Sequence, residues 1–146
     1  MTPGARGLTV LLALALLAAA GRASRAFDHG FDPYAPATQY FEHLKQPDNY
    51  PGSCCGKADA YEADTYARNA DGSWTVTVTD GSAIEYPDGT RRPYVATGTV
   101  VHVPAGKINP PDETRHNPTG HAWLFMSVYV GQVGSIYCFA PLPDGS

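Results

Sequence analysis

The clearest pattern along the chain is an alternation of apolar and polar residues from Trp74 to Thr79. Trp74, Val76 and Val78 fall on one side of an extended chain, and three threonines fall on the other. Because successive side chains of a β-strand point to opposite faces, this period of two predicts a half-buried strand. A weaker alternation over residues 61–68 predicts a second strand.

The end of the chain has the pattern of a β-hairpin. Residues 121–130 predict one strand, residues 131–134 the turn, and residues 135–139 the returning strand. Residues 122–126 are all apolar. An uninterrupted apolar run of this length is typical of a central strand that is covered on both faces.

Shorter elements complete the predicted fold. Residues 38–46 predict a helix capped by Thr38, and residues 83–86 and 99–103 predict short strands. Four prolines make residues 104–120 a loop, because proline cannot donate a hydrogen bond to a strand ladder. The fold class is therefore expected to be mostly β: a small antiparallel sheet, sandwich or open barrel, with one short N-terminal helix.

The first 26 residues have the pattern of an export signal. Arg6 precedes an apolar run over residues 8–20, which would form a helix of about 20 Å, too short for a hydrocarbon core of about 30 Å. A basic start, a short apolar run and small residues near its end are typical of a secretory signal peptide. Cleavage fits after Ala20 or after Ala26, and Ala26 is preferred. The sequence thus predicts a periplasmic or secreted protein with a single β-rich domain over residues 27–146.

Charge narrows the choice of partners. The whole chain has a formal charge of −4, but its first 26 residues hold three arginines and no acid. The remaining residues therefore carry 7 basic against 14 acidic side chains. Nucleic acid is not an expected partner, since phosphate binding needs clustered lysines and arginines. No later apolar run is long enough to span a membrane, so no integral span is expected after cleavage.

Three cysteines, Cys54, Cys55 and Cys138, lie in the predicted mature chain. A disulfide is the default in an oxidising compartment, and adjacent cysteines rarely bond each other because the ring strains the peptide between them. Either cysteine of the pair could therefore bond Cys138. If Ser53 caps a helical turn, Cys55 points inward and is the predicted partner of Cys138. Cys54 would then be an exposed thiol, activated by the helix dipole. The alternative for the unpaired cysteine is a buried, inert thiol or an intermolecular disulfide.

Histidines suggest a metal site. His102, His116 and His121 lie in or beside the proline-rich loop, where the chain could bring them together. With a thiolate or Met126 they would suit Cu or Zn. The spacing matches no zinc finger, and the alternative is that these side chains are solvated.

An acidic cluster follows the paired cysteines. Asp59, Glu62 and Asp64 resemble calcium ligands, but no glycine-containing loop with alternating acids surrounds them. On a strand, Glu62 and Asp64 would share one face. We expect a plain solvated face here.

Several segments together resemble a group of small, uncharacterised exported proteins of Gram-negative bacteria. They are the SCCGKADAY run over residues 53–61, the NPTGH run over residues 117–121, and YCF over residues 137–139. The resemblance covers most of the mature chain. It implies export and a shared fold, and it assigns no catalytic residue.

These observations favour a non-enzymatic exported β domain that binds a small ligand, a transition metal or an envelope partner. The alternative is a thiol-dependent enzyme or redox protein that uses Cys54 or Cys55. No local signature of a cysteine enzyme surrounds either residue, so no catalytic residue is assigned.

Overall fold

Short antiparallel strands make up most of the fold. A computed structural model describes residues 34–111 and 117–143. Helix α1 spans Pro36–His43, and a 3₁₀ turn spans Ala105–Lys107. The strands are β1 (Asp59–Glu62), β2 (Thr65–Arg68), β3 (Trp74–Thr77), β4 (Ile84–Glu85), β5 (Arg91–Arg92), β6 (Val100–Val103), β7 (Trp123–Tyr129) and β8 (Gln132–Ala140).

The strands form three small antiparallel sheets. The first sheet has the order β1-β7-β8, the second β2-β3-β6, and β4 pairs with β5 in a separate ribbon. Within the described residues the sheets do not close into a barrel. The prediction of a mostly β fold with one short helix is confirmed.

One face of the first sheet packs against the second sheet. This sheet–sheet core is made of fully buried residues that alternate along their strands, as the sequence pattern requires. Its central members are Tyr61, Leu124, Met126 and Phe139 from the first sheet and Val76, Val78, Val101 and Val103 from the second sheet and its flanks. The alternation of residues 74–79 therefore marks a true face of the core.

The opposite face of the first sheet is covered by α1 and the segment that follows it. This helix-side core contains Phe41, Leu44, Cys54, Cys55, Phe125, Cys138 and Ala140. The ring of Phe41 meets the rings of Trp123 and Phe125 edge-on, with centroids 5.1 and 5.8 Å apart. Strand β7 thus lies between two cores, which confirms that the apolar run of residues 122–126 belongs to a central strand.

The predicted strand over residues 61–68 is divided in two. β1 ends at Glu62 and belongs to the first sheet, whereas β2 begins at Thr65 and belongs to the second. Between them Ala63 is fully buried, and its amide donates a hydrogen bond to the carbonyl of Ala122, 2.9 Å away. The chain changes sheets at this bend.

Helix α1 begins earlier and ends earlier than predicted. Pro36 occupies its first turn and Ala35 is the N-cap, whereas Thr38 is buried inside the helix. Proline is well suited to the first turn because its missing N–H would have no partner there. Residues 1–26 lie outside the described residues, so the signal peptide and its cleavage stay predictions. Among the helices described, none has the length and apolarity needed to cross a membrane.

Candidate metal site

The disulfide joins Cys54 to Cys138, with a Cα–Cα distance of 5.6 Å. The predicted pairing of Cys55 with Cys138 is therefore wrong. Its premise was a helical turn, but no helix forms here: Ser53 bridges to Lys45, the Cys54 amide donates to the Leu44 carbonyl, 3.0 Å away, and residues 54–57 form bends. The sulfur of Cys54 therefore reaches Cys138 on β8, whereas the thiol of Cys55 lies against the Phe41 carbonyl.

The second cysteine is buried and unreactive. Cys55 is 4% exposed, and its thiol donates a hydrogen bond to the carbonyl of Phe41 at 3.5 Å. Burial raises the pKa of this thiol to about 12, against a smaller opposing effect of Lys45. A thiol held in its protonated form is a poor nucleophile. The prediction of a free, activated Cys54 is wrong, because its sulfur is in the disulfide.

The three predicted metal-binding histidines are not shown together. His102 lies exposed on β6, where its charge acts on Asp71, and His116 falls outside the described residues. Met126, considered as a fourth ligand, is fully buried in the sheet–sheet core. His121 instead meets two carboxylates that the sequence analysis assigned to a solvated face.

Those two carboxylates and His121 form a compact cluster. The Nδ1 atom of His121 lies 2.7 Å from Oδ2 of Asp64 and 3.8 Å from Oε2 of Glu62. One ligand atom from each residue lies within 4.8 Å of the other two. All three side chains are partly exposed, so an ion in solution can reach them.

The bend between the two sheets holds Asp64 in place. Its Oδ1 accepts a hydrogen bond from the Ala122 amide at 2.7 Å, and its own amide donates to Oγ1 of Thr79 at 3.3 Å. One carboxylate oxygen is thus fixed by backbone, which leaves Oδ2 for His121. Glu62 is fixed at its backbone, because its carbonyl accepts the amide of Thr79 at 2.8 Å.

The NPTGH segment holds His121 from the other side. The amide nitrogen of Asn117 donates to the His121 carbonyl at 2.8 Å, and its Oδ1 accepts from the amide of Thr119 at 3.0 Å. The Thr119 hydroxyl oxygen in turn accepts from the His121 amide at 3.2 Å and from the Trp123 indole N–H at 2.7 Å. Asparagine and threonine form such side-chain turns because their short polar groups reach nearby backbone. The hydrogen bonds of this motif therefore fix the backbone that carries the imidazole of His121.

The cluster attracts positive charge. The hydrogen bond that His121 donates to the Asp64 carboxylate is the main cause that raises the pKa of His121; burial opposes it, and the negative charge of Glu62 adds to it. Two carboxylates beside one neutral imidazole leave a charge of −2, which a proton only partly offsets. A divalent cation would balance it fully.

The spacing also suits a metal ion. Zinc bonds to nitrogen and oxygen at about 2.0–2.2 Å, so two ligands of a tetrahedral ion lie about 3.4 Å apart. The two distances from His121, 2.7 and 3.8 Å, fall on either side of this value. A tetrahedral ion would require the Nδ1–Oδ2 distance to lengthen and the Nδ1–Oε2 distance to shorten, each by less than about 1 Å. Glu62, Asp64 and His121 can then supply three ligands.

Glu62 and Asp64 were considered as metal ligands, but their placement on one continuous strand led to the prediction of a solvated face. One signal pointed to the break: aspartate is depleted in strands, and Asp64 stands in the middle of the predicted one. A bend at Asp64 turns its side chain away from the strand and toward a neighbouring segment of the first sheet. Which residue lies there depends on the β1–β7 pairing, which sets Glu62 opposite Trp123.

Comparisons of the chain with known proteins assign no family to it. The chain matches no protein-family model, no curated protein and no solved structure. The resemblance to exported proteins with SCCG and NPTGH segments stays a prediction, and the site rests on its own contacts.

Proposed function

We propose that this protein is an exported, non-enzymatic domain that binds a divalent transition metal, Zn²⁺ or Cu²⁺, through Glu62, Asp64 and His121. The observation that carries the proposal is the convergence of three ligand atoms within 4.8 Å. They come from the end of β1, the bend after it and the NPTGH segment. Each segment is fixed by its own hydrogen bonds, so little order has to be gained when an ion binds.

The ligand types favour a transition metal over a hard cation. Carboxylates alone suit Ca²⁺ or Mg²⁺, which take oxygen ligands, whereas an imidazole in the set suits Zn²⁺ and Cu²⁺. Three protein ligands leave a fourth position for water or for a donor from a partner. The partial exposure of His121, 44% of its side chain, suits a site that exchanges its ion with the surroundings.

Binding is favoured over thiol chemistry by the state of the cysteines. Cys54 is bonded to Cys138, and burial holds Cys55 in its protonated form. Export is supported by the signal-like pattern of residues 1–26 and by the disulfide, because disulfides persist in oxidising compartments such as the periplasm.

Calorimetric titration of the mature protein with Zn²⁺ tests the proposal. One ion should bind per chain, and Asp64→Asn and His121→Gln should each weaken binding at least about tenfold, since each removes a ligand. His102→Gln is the matched control, because it removes an exposed imidazole outside the cluster. Equal losses from His102→Gln and His121→Gln would contradict the proposed site.

Competing ions sharpen the assignment. Cu²⁺ should bind the same residues at least as tightly as Zn²⁺, following the general order of divalent metals. Ca²⁺ should compete poorly, and its binding should not depend on His121. If Ca²⁺ displaced Zn²⁺ at equal concentration, the site would be a carboxylate site and the proposal would fail.

A further inference from the structure

A second concave site lies on the helix side of the first sheet. It opens between α1 and the β4–β5 ribbon, and its walls are mostly apolar. Phe41 comes from the helix, Ala60 and Trp123 from the first sheet, and Ile84 and Tyr86 from the ribbon side. This pocket shares no residue with the cluster of Glu62, Asp64 and His121.

The size of the pocket limits what it can hold. Its volume is about 180 Å³. An engineered apolar protein cavity of about 150 Å³ stays dry and binds benzene, so a pocket of this size that opens to solvent takes one aromatic ring and a short polar group at its open side. The edge-on packing of Phe41 against Trp123, with centroids 5.1 Å apart, already provides aromatic walls for such a ring.

One wall carries a buried positive charge. Arg92 lines the pocket and is only 3% exposed. Its guanidinium donates to the carbonyls of Ser82 and Ala60 at 2.7–2.9 Å and lies over the ring of Tyr61, 4.9 Å from its centroid. These contacts satisfy donors but supply no full negative charge.

The ion pair of Arg92 is long, although a second carboxylate, Asp59, acts on the same two rings as Arg92, those of Tyr61 and Tyr86. Within the described residues its ion pair is with Asp80, at 3.4 Å and with the carboxylate 38% exposed. A strong charge-assisted hydrogen bond would measure about 2.7–2.9 Å. The Asp80 carboxylate also accepts the amide of Ser82 at 2.9 Å. A guanidinium removed from water with so weak a counter-ion favours an additional anion beside it.

We propose that this pocket binds a small monocarboxylate with a single aromatic ring. The ring fills the apolar space between Phe41, Trp123 and Ile84, and the carboxylate lies toward Arg92. Volume, apolar walls and the buried charge each limit the ligand, and together they select this class. The inference does not depend on metal binding.

A series of three ligands that share a benzyl group and differ in the charge of the attached polar group provides the first test. Phenylacetate is the probe, benzyl alcohol its neutral counterpart and benzylamine its cationic one. Phenylacetate should bind with a dissociation constant of about 1 mM or tighter, benzyl alcohol at least about fivefold more weakly, and benzylamine more weakly still. Asp59, whose charge acts on Tyr86, would give the opposite order if it dominated the pocket.

The two tryptophans report where the probe binds. In a ¹⁵N-labelled protein, phenylacetate should shift the indole N–H signal of Trp123, which lines the pocket, and leave that of Trp74, on β3, unchanged. The readout is independent of Zn²⁺, so it is measured in the presence of a chelator. Failure of the metal site would therefore leave this result intact.

A matched pair of variants separates the pocket from general surface effects. Ile84→Asp puts a negative charge at the rim, where Ile84 is 38% exposed, and should weaken phenylacetate binding at least about tenfold. Val100→Asp makes the same kind of change at a residue of β6 that is 64% exposed and should leave binding unchanged. Both positions are at the surface, so both variants should fold.

Three results would overturn the proposal. One is no shift of the Trp123 indole signal at about 10 mM phenylacetate, a concentration that would reveal even millimolar affinity. Another is benzylamine binding as tightly as phenylacetate. The third is an equal loss of binding in Ile84→Asp and Val100→Asp.

Discussion

The two faces of the β1-β7-β8 sheet are both buried, but they are buried in different ways. On one face, residues such as Leu124 and Met126 pack against valines of the second sheet. On the other, Phe125 packs against a helix of eight residues and a loop that the Cys54–Cys138 disulfide ties to β8. The first face is covered by the packing of one sheet against another. The second is covered by a short helix and a loop that is held by the disulfide.

The difference between the two faces shows that a short helix needs an additional restraint to cover a sheet. An isolated helix of eight residues is well below the length at which helices are stable in water, about 12–15 residues. Within α1 the buried apolar residue is Phe41, and Leu44, the C-cap residue that follows the helix, adds a second one. On the helix side, the disulfide therefore holds the covering segment in place. On the other face, apolar packing alone does so. An imperfectly covered face is also where the pocket beside Trp123 lies.

The largest effect should come from removal of the link. Cys54→Ser combined with Cys138→Ser should lower the free energy of unfolding by about 4–5 kcal/mol, because the disulfide closes a long loop and restricts the unfolded chain. Urea unfolding measures the loss. In the same variant, Cys55 should become reactive toward a thiol reagent under native conditions, as the helix-side core loosens. A Cys55 that stays protected would show that the helix side is held by packing after all.

The same substitution, phenylalanine to alanine, can be made on each face of the first sheet. Phe139 is fully buried in the sheet–sheet core and Phe125 in the helix-side core. Each change to alanine should cost about 3–5 kcal/mol, from lost burial and the cavity left behind. In the variant without the disulfide, the cost of Phe125→Ala should shrink, whereas that of Phe139→Ala should not. Equal costs with and without the disulfide would show that the two faces are independent of it.

The smallest effect concerns the junction of the two sheets. Because the pKa of His121 is raised above the ordinary value of 6.5, protonated His121 stabilises the fold below that pH. This contribution is lost as pH rises through the folded-state pKa, and it should stay below about 1 kcal/mol because the side chain is largely solvated. Urea unfolding of the metal-free protein between about pH 5.5 and 8.5 measures it. Asp64→Asn should flatten the profile, and a stability that rises over this range in the parent, but not in Asp64→Asn, would contradict the assignment.

Much of the fold was accessible from local patterns. The alternation of residues 74–79 and the apolar run of residues 122–126 identified a half-buried strand and a central one, because strand geometry dictates those periods. Turn placement was less accurate. The β7–β8 hairpin turns at Val130 and Gly131, both with positive φ, rather than over residues 131–134. Valine gives no turn signal, since β-branched residues rarely adopt this conformation.

The candidate site was less predictable than the fold. His121 was predicted to be a metal ligand together with His102 and His116, but His102 lies on β6, His116 is outside the described residues, and Met126 lies in the core. The presence of a histidine in the sequence does not show which side chains lie beside it in the folded protein. Asp64 and His121 are 57 residues apart in sequence, and only the antiparallel pairing of β1 with β7 brings them together.

The mostly β architecture could be predicted from local sequence patterns, as could the central position of β7 and the presence of a disulfide to Cys138. These depend on side-chain period, on apolarity and on the number of cysteines, all of which are local or compositional properties. The tertiary structure decided which cysteine bonds Cys138, where the strand over residues 61–68 breaks, and that Asp64 meets His121. Each of these depends on the direction a side chain takes from a backbone whose path is set by distant segments, and no local pattern records that direction.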